Sequence, residues 1–141
     1  MKLPLRKSII VNIVILVIGL IVGSQIPDLI SSYQLWKNEN QALEQLEKYP
    51  NEANSWLLLS QYRWLRGDEK GSFEAAQKAI ELDPNYILAI EKIAYNYIDI
   101  GDLEKGKEWL EKALKVAEVH APGQIEMIKF SLANIEKGMK P

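Results

Sequence analysis

The sequence predicts an all-α protein, a short helical solenoid of two full repeats with flanking helices, preceded by a single transmembrane helix. Three observations carry this expectation. The stretch from Ala53 to Pro84 is echoed at a fixed offset of 34 residues: Gly67-Asp68 recurs as Gly101-Asp102, Ala79 as Ala113, Trp56 as the apolar Ile90, Leu59 as Ile93, Ile80 as Leu114 and Leu82 as Val116. A matched period of this size indicates two copies of one supersecondary unit, stacked because neither alone can bury its apolar face. The apolar residues of both copies fall three or four apart, and no segment alternates as a strand does. Finally, Ser8 to Ile26 is overwhelmingly aliphatic and carries no charge.

Composition narrows the function classes. A chain of 141 residues allows one small domain plus an appendage. It contains no Cys, which excludes a disulfide framework, a thiolate metal site and a CxxC redox pair. The formal net charge of −2 is uneven: residues 1–27 hold Lys2, Arg6 and Lys7 and no acid, so the remainder has 14 basic and 19 acidic residues, a net of −5. Nucleic-acid binding relies on clustered Lys and Arg that displace counterions from phosphates, and that signature is missing.

From the N-terminus, residues 1–7 form a basic tail and residues 8–26 a transmembrane helix. Nineteen residues rise roughly 28 Å as a helix, close to the hydrocarbon thickness of a bilayer. Pro27 follows, removing a backbone donor where the helix leaves the lipid. The segment reads as an uncleaved anchor in preference to a cleaved secretory signal, because the apolar run is long and no Ala-x-Ala site follows it. Lys2, Arg6 and Lys7 flank one side, whereas the other begins with Asp28 and has no basic residue before Lys37. The positive-inside rule then puts the N-terminus in the cytoplasm and the repeats on the extracytoplasmic side of the cytoplasmic (inner) membrane, in a single-pass arrangement. Gly19 and Gly23 form a small-xxx-small pair through which the membrane helix could associate with another.

Residues 29–49 are expected to form an amphipathic connecting helix that covers the N-terminal end. Its apolar positions are Leu29, Ile30, Tyr33, Trp36, Leu43 and Leu46, and it ends at Tyr49-Pro50-Asn51. The repeats occupy 53–119, as copies 53–86 and 87–120. In each copy a Gly-Asp pair separates two helices. The glycine suits a left-handed C-terminal cap, and the aspartate can cap the helix that follows. Phe73, Ala76, Ala79 and Ile80 are expected to face inward from the first copy, and Ile90, Ile93, Ala94, Tyr97, Ile98, Leu110 and Ala113 from the second. Pro84 is placed to end the second helix of the first copy. A last helix over 122–138 starts at Pro122, carries Ile125, Ile128, Leu132 and Ile135 on one face, stops at Gly138 and caps the open end.

These residues resemble the tetratricopeptide repeat family. The first copy matches its pattern at Trp56, Leu59, Gly67, Ala79, Leu82 and Pro84, the second at Ile93, Ala94, Tyr97, Gly101, Ala113 and Leu114. The departures are Ser60 at a small position, an aromatic one residue early at Tyr62 with Arg63 in its place, and Glu118 where a second Pro is expected. The resemblance implies a concave groove, lined by the first helix of each copy, that binds a peptide or a partner helix. On this sequence it falls on Asn54, Leu57, Gln61, Trp64 and Leu65, and on Leu88, Glu91, Tyr95, Ile98 and Asp99. The family subclass that clamps C-terminal carboxylates needs Lys, Arg and Asn there, and these ten positions hold no basic residue. A hydrophobic or mildly basic peptide fits this inventory better. Trp56, Tyr62, Tyr97 and Trp109 are expected in the core, while Trp64 and Tyr95 either contact a ligand or pack on the 29–49 helix.

No catalytic constellation is present in the sequence. His120 is the sole histidine, so no His pair can hold a metal, and the phosphate-cradling and nucleophile-elbow motifs are absent. The acids Glu39, Glu44, Glu47, Glu104, Glu108 and Glu111 alternate with Lys at helical spacing, as on a solvated surface. The expectation is a non-enzymatic, cofactor-free, membrane-anchored adaptor for a protein partner. The alternative is a constitutive subunit of a larger membrane complex, similar to the short anchored repeat proteins of cytochrome c maturation or envelope assembly.

Overall fold

The structure, a computed structural model, describes residues 30–138, and every regular element among them is helical. Helix α1 covers 30–48. It is followed by α2 (Ala53–Leu65), α3 (Glu69–Leu82), α4 (Ile87–Asp99), α5 (Leu103–His120) and, after a 3-10 turn at Pro122–Gln124, α6 (Ile125–Glu136). The predicted basic tail and membrane span, 1–7 and 8–26, lie outside the described residues. Among the described residues no helix is long and apolar enough to cross a membrane.

The chain divides into two units at Lys37 and Asn38. In the described part of the first, Tyr33 and Trp36 stack with ring centroids 6.0 Å apart, and both side chains are exposed. In the second, residues 38–48 of α1 set Ala42 against Leu59 and Ala75, with Leu46, Trp56, Leu58 and Tyr62 around them. Glu39 pairs with Arg66 at the end of α2. The Trp56 indole donates to the Pro50 carbonyl at 2.9 Å, fixing the turn ahead of α2.

Both repeats are closed by the same local chemistry. Gly67 and Gly101 adopt φ of 79° and 89°, a left-handed conformation that any Cβ would strain. This lets Asp68 N–H bond back to Arg63 C=O and Gly67 N–H to Trp64 C=O, both at 2.9 Å; in the second copy Asp102 reaches Tyr97 at 2.9 Å and Gly101 reaches Ile98 at 3.1 Å. The paired bonds satisfy carbonyls that a helix end leaves orphaned. The same aspartates then start the next helix: Asp68 accepts from Gly71 N–H at 2.9 Å and Asp102 from Lys105 N–H at 3.2 Å.

The hairpins α2–α3 and α4–α5 stack through α3 on α4, and α6 packs on α5. The main core gathers Leu57, Ile80, Ile87, Ile90, Ile93, Ile98, Leu110 and Ile128. Ala76, Ala79, Ala89, Ala94, Ala113 and Ala117 are fully buried among them and let the helix backbones approach. Phe73, Tyr97 and Trp109, expected inside, are only partly buried against this cluster. A buried polar seam also joins the two hairpins: Asn96 donates to Ser72 Oγ at 3.0 Å, and Ser72 lies 3.0 Å from Ser60 Oγ.

The second repeat departs from the first at its end. Pro84 follows α3 closely, whereas Glu118 offers no such stop, and α5 runs on to His120. The last helix is shorter than the predicted 122–138. Pro122 opens a 3-10 turn, in which Gln124 N–H bonds Ala121 C=O at 2.9 Å, and the α-helix begins only at Ile125. It buries Ile128, Ser131 and Ile135 but leaves Met127 and Phe130 each 66% exposed.

Candidate functional site

The groove positions lie on α2 and α4. At about 100° per residue, Leu88, Glu91, Tyr95 and Asp99 share one face of α4, with Lys92 at its margin. Two contacts orient that face between its neighbours. The Lys92 ammonium sits 4.9 Å from the centroid of the Trp64 ring on α2, and the Tyr95 hydroxyl lies 3.0 Å from Ser131 Oγ on α6. At the foot of the groove the Tyr86 hydroxyl donates to Asn54 Oδ1 at 3.0 Å, tying the start of α2 to the turn before α4.

The ten positions separate into three environments. Asn54, Gln61, Leu65, Leu88 and Asp99 are exposed, with Leu65 and Leu88 at 60% and 51%. Trp64 and Tyr95 are half-buried. Trp64 meets the edge of Phe73 on α3 at 6.3 Å between centroids, and Tyr95 is held by α6. Leu57, Glu91 and Ile98 are buried. Leu57 and Ile98 therefore belong to the core. Ile98 was expected both in the core and in the groove, and the approach of α5 decides for the core: a Cβ on Gly106 would stand 2.5 Å from Ile98 Cγ1.

Burial raises the Glu91 carboxyl above the usual carboxylate range, and no neighbouring cation offsets it. Burial lowers the Lys92 ammonium, with Asp99 acting in the opposite sense. Tyr86 is raised, first by burial and then by the charge of Asp83. The residues missed from sequence are Lys92, Tyr86 and Ser131. Lys92 follows from the helical wheel of α4, but the family register passes over it. Tyr86 precedes the repeat helix, and Ser131 becomes part of the groove only through the packing of α6.

On the other side of α4 a shallow hollow of about 290 Å³ is lined by Phe73, Glu74, Gln77, Ile93, Tyr97 and Trp109. Phe73 and Tyr97 touch within it, their centroids 4.7 Å apart, and Lys105 and Lys112 cap the rings of Tyr97 and Trp109. Among the described residues no group of three or more His, Cys, Asp or Glu side chains could hold a metal ion.

Comparison with known proteins bears on the fold. The structure is similar to the TPR2B domain in the pHsp70 complex of yeast Sti1, with a TM-score of 0.67 and 18% sequence identity over 79% of this chain and 90% of that one. No curated protein matches the sequence. The tetratricopeptide repeat profile matches residues 23–124, well over half of the chain. With the paired helices, the 34-residue period and the repeated Gly-Asp closures, this match establishes that the chain belongs to the tetratricopeptide repeat family.

Proposed function

We propose that the chain is a membrane-anchored, non-catalytic adaptor that docks a peptide or helix of a protein partner on the face shared by α2 and α4. One observation carries the reading: α4, otherwise the most enclosed repeat helix, keeps Leu88 and Asp99 exposed at the register positions where α2 exposes Asn54 and Leu65. Exposed aliphatic residues with interspersed polar groups form the kind of surface that anchors a partner segment. The similar TPR2B domain of yeast Sti1 occurs in a complex with pHsp70, which supports a protein partner of some kind. Attachment through residues 8–26 would confine the groove near the bilayer and raise the effective concentration of a weak ligand.

The test is an affinity capture from membranes with the full chain, comparing wild type with a Gln61→Ala/Leu88→Asp double variant. Both residues are exposed, so the fold should persist while captured partners fall away; partners that survive the change would remove the groove from the proposal. Carbonate extraction of the full chain and of one lacking residues 8–26 tests the anchor, with only the former expected to stay in the membrane fraction. Protease protection of the C-terminal side in sealed vesicles tests the extracytoplasmic placement. A second reading, a permanent subunit of a membrane complex, is favoured by the open Met127 and Phe130 on α6. A fixed stoichiometric complex in mild detergent would select it.

A further inference from the structure

Glu91 stands in the second repeat where Leu57 stands in the first, 34 residues apart on matching helices, and both are buried, at 9% and 4% exposure. Leucine suits such a place. A carboxylate there loses hydration and needs a compensating partner. Among the described residues Glu91 has none: it takes part in no hydrogen bond and no ion pair.

Cations on α4, α5 and α6 are engaged elsewhere. Lys92 is adjacent in sequence but lies about 100° around the helix, with its ammonium over the Trp64 ring and Asp99 as its electrostatic neighbour. On α6, Lys129 is 3.7 Å from Glu126, and on α5, Lys107 is 3.2 Å from Glu136. Ser131, the hydroxyl that α6 brings to this face of α4, is taken by Tyr95. Glu91 thus sits on the groove face, beside Leu88 and Tyr95, with its acceptor capacity unused.

We infer that Glu91 receives a cationic side chain from the docked partner, so that the groove selects an aliphatic peptide segment carrying a Lys or Arg. The exposed Leu65 and Leu88 would take the flanking aliphatic residues, and Asp99 adds a second negative charge at the upper end of the face. This specificity rests on the docking reading above and has the opposite polarity to a groove that clamps a carboxylate. The Glu91 oxygens are not among the buried unpartnered atoms and so still reach solvent, where an incoming cation can meet them. A partly desolvated carboxylate favours a charged partner, because its hydration is already reduced in the free protein.

The experiment uses the full chain and phage-displayed random dodecamer peptides. Peptides selected on wild type should share one Lys or Arg flanked by aliphatic residues. For one such synthetic peptide, Glu91→Gln should weaken binding about ten-fold, and replacing the peptide's cation by norleucine should cost wild type a similar factor. The two changes together should cost no more than one alone. Selected peptides without a common cation, or losses that multiply, would overturn the inference. Leu88→Asp separates the two levels: if it abolishes binding and Glu91→Gln does not, the groove stands and the cation site falls. If neither substitution matters, or if no peptide is selected, both readings fall. Far-UV circular dichroism of each variant establishes that the fold is retained.

Discussion

Helices α2 and α4 occupy the same place in the 34-residue repeat, yet α2 buries Ser55, Leu57, Leu59 and Ser60, whereas α4 buries Ile87, Ala89, Ile90, Glu91, Ile93, Ala94, Asn96 and Ile98. The difference comes from position in the stack. α4 has repeat helices before and after it, while α2 meets, from the preceding described residues of its own unit, the 38–48 segment of α1, which contributes one fully buried alanine, Ala42. Equivalent residues therefore carry unequal weight. Trp56 is only partly buried and holds a turn, and its counterpart Ile90 is wholly buried. Ser72 bonds across the hairpin interface, and its counterpart Gly106 is small because Ile98 occupies the space.

The largest break in this comparison should come from Ile90→Ala. A wholly buried branched side chain replaced by methyl should cost about 2–5 kcal/mol in urea unfolding of the full chain. The exposed Leu88→Ala on the same helix should cost well under that. Equal losses would show that α4 is not the central helix of the stack.

Next in size is Gly106→Ala. Its new Cβ would meet Ile98 Cγ1 at 2.5 Å and the Ala94 carbonyl at 3.3 Å, forcing α5 away from α4 at about 1–3 kcal/mol. The equivalent Ser72→Ala should instead act through the polar seam, leaving Asn96 Nδ2 and Ser60 Oγ short of a partner. Combining Gly106→Ala with Ile98→Val should recover part of the loss. Absence of any recovery would point to the backbone contact as the source.

Where the repeats agree, their variants should agree. Asp68→Ala and Asp102→Ala each remove one helix cap and an exposed ion pair, with Arg63 and Lys105 respectively, and should each lower the melting temperature modestly and by a similar amount. A much larger effect at one site than at the other would show that the two closures are not equivalent.

Glu91→Gln should act in the opposite direction, with the smallest change. Burial raises the folded-state carboxyl, so protonation favours the fold. The stability gained from protonation is fully present below the unfolded value of about 4.3 and is lost as pH rises through the folded value. Melting temperature should therefore rise in the variant at neutral pH, and the gain should fade in acid, with Lys92, Asp99 and Lys129 common to both proteins. A variant less stable than wild type at neutral pH would reveal a partner for the carboxylate.

Among the described residues, the sequence by itself determined the four repeat helices, their pairing and their closures. These rest on local chemistry: a 3.6-residue apolar period, glycines free to take a left-handed conformation, aspartates within reach of backbone N–H groups, and a proline that stops α3 while Glu118 lets α5 continue. The family groove was legible as a set of register positions. Only the tertiary structure decided which of those positions face solvent. Leu57 and Ile98 went to the core, Lys92 and Ser131 came to the register face of α4, and Glu91 became a largely buried residue whose carboxylate has no partner among the described residues. Register fixes the direction in which a side chain leaves its helix, but exposure depends on the neighbouring helix that comes to lie there, and that neighbour is brought by packing between residues far apart in the chain.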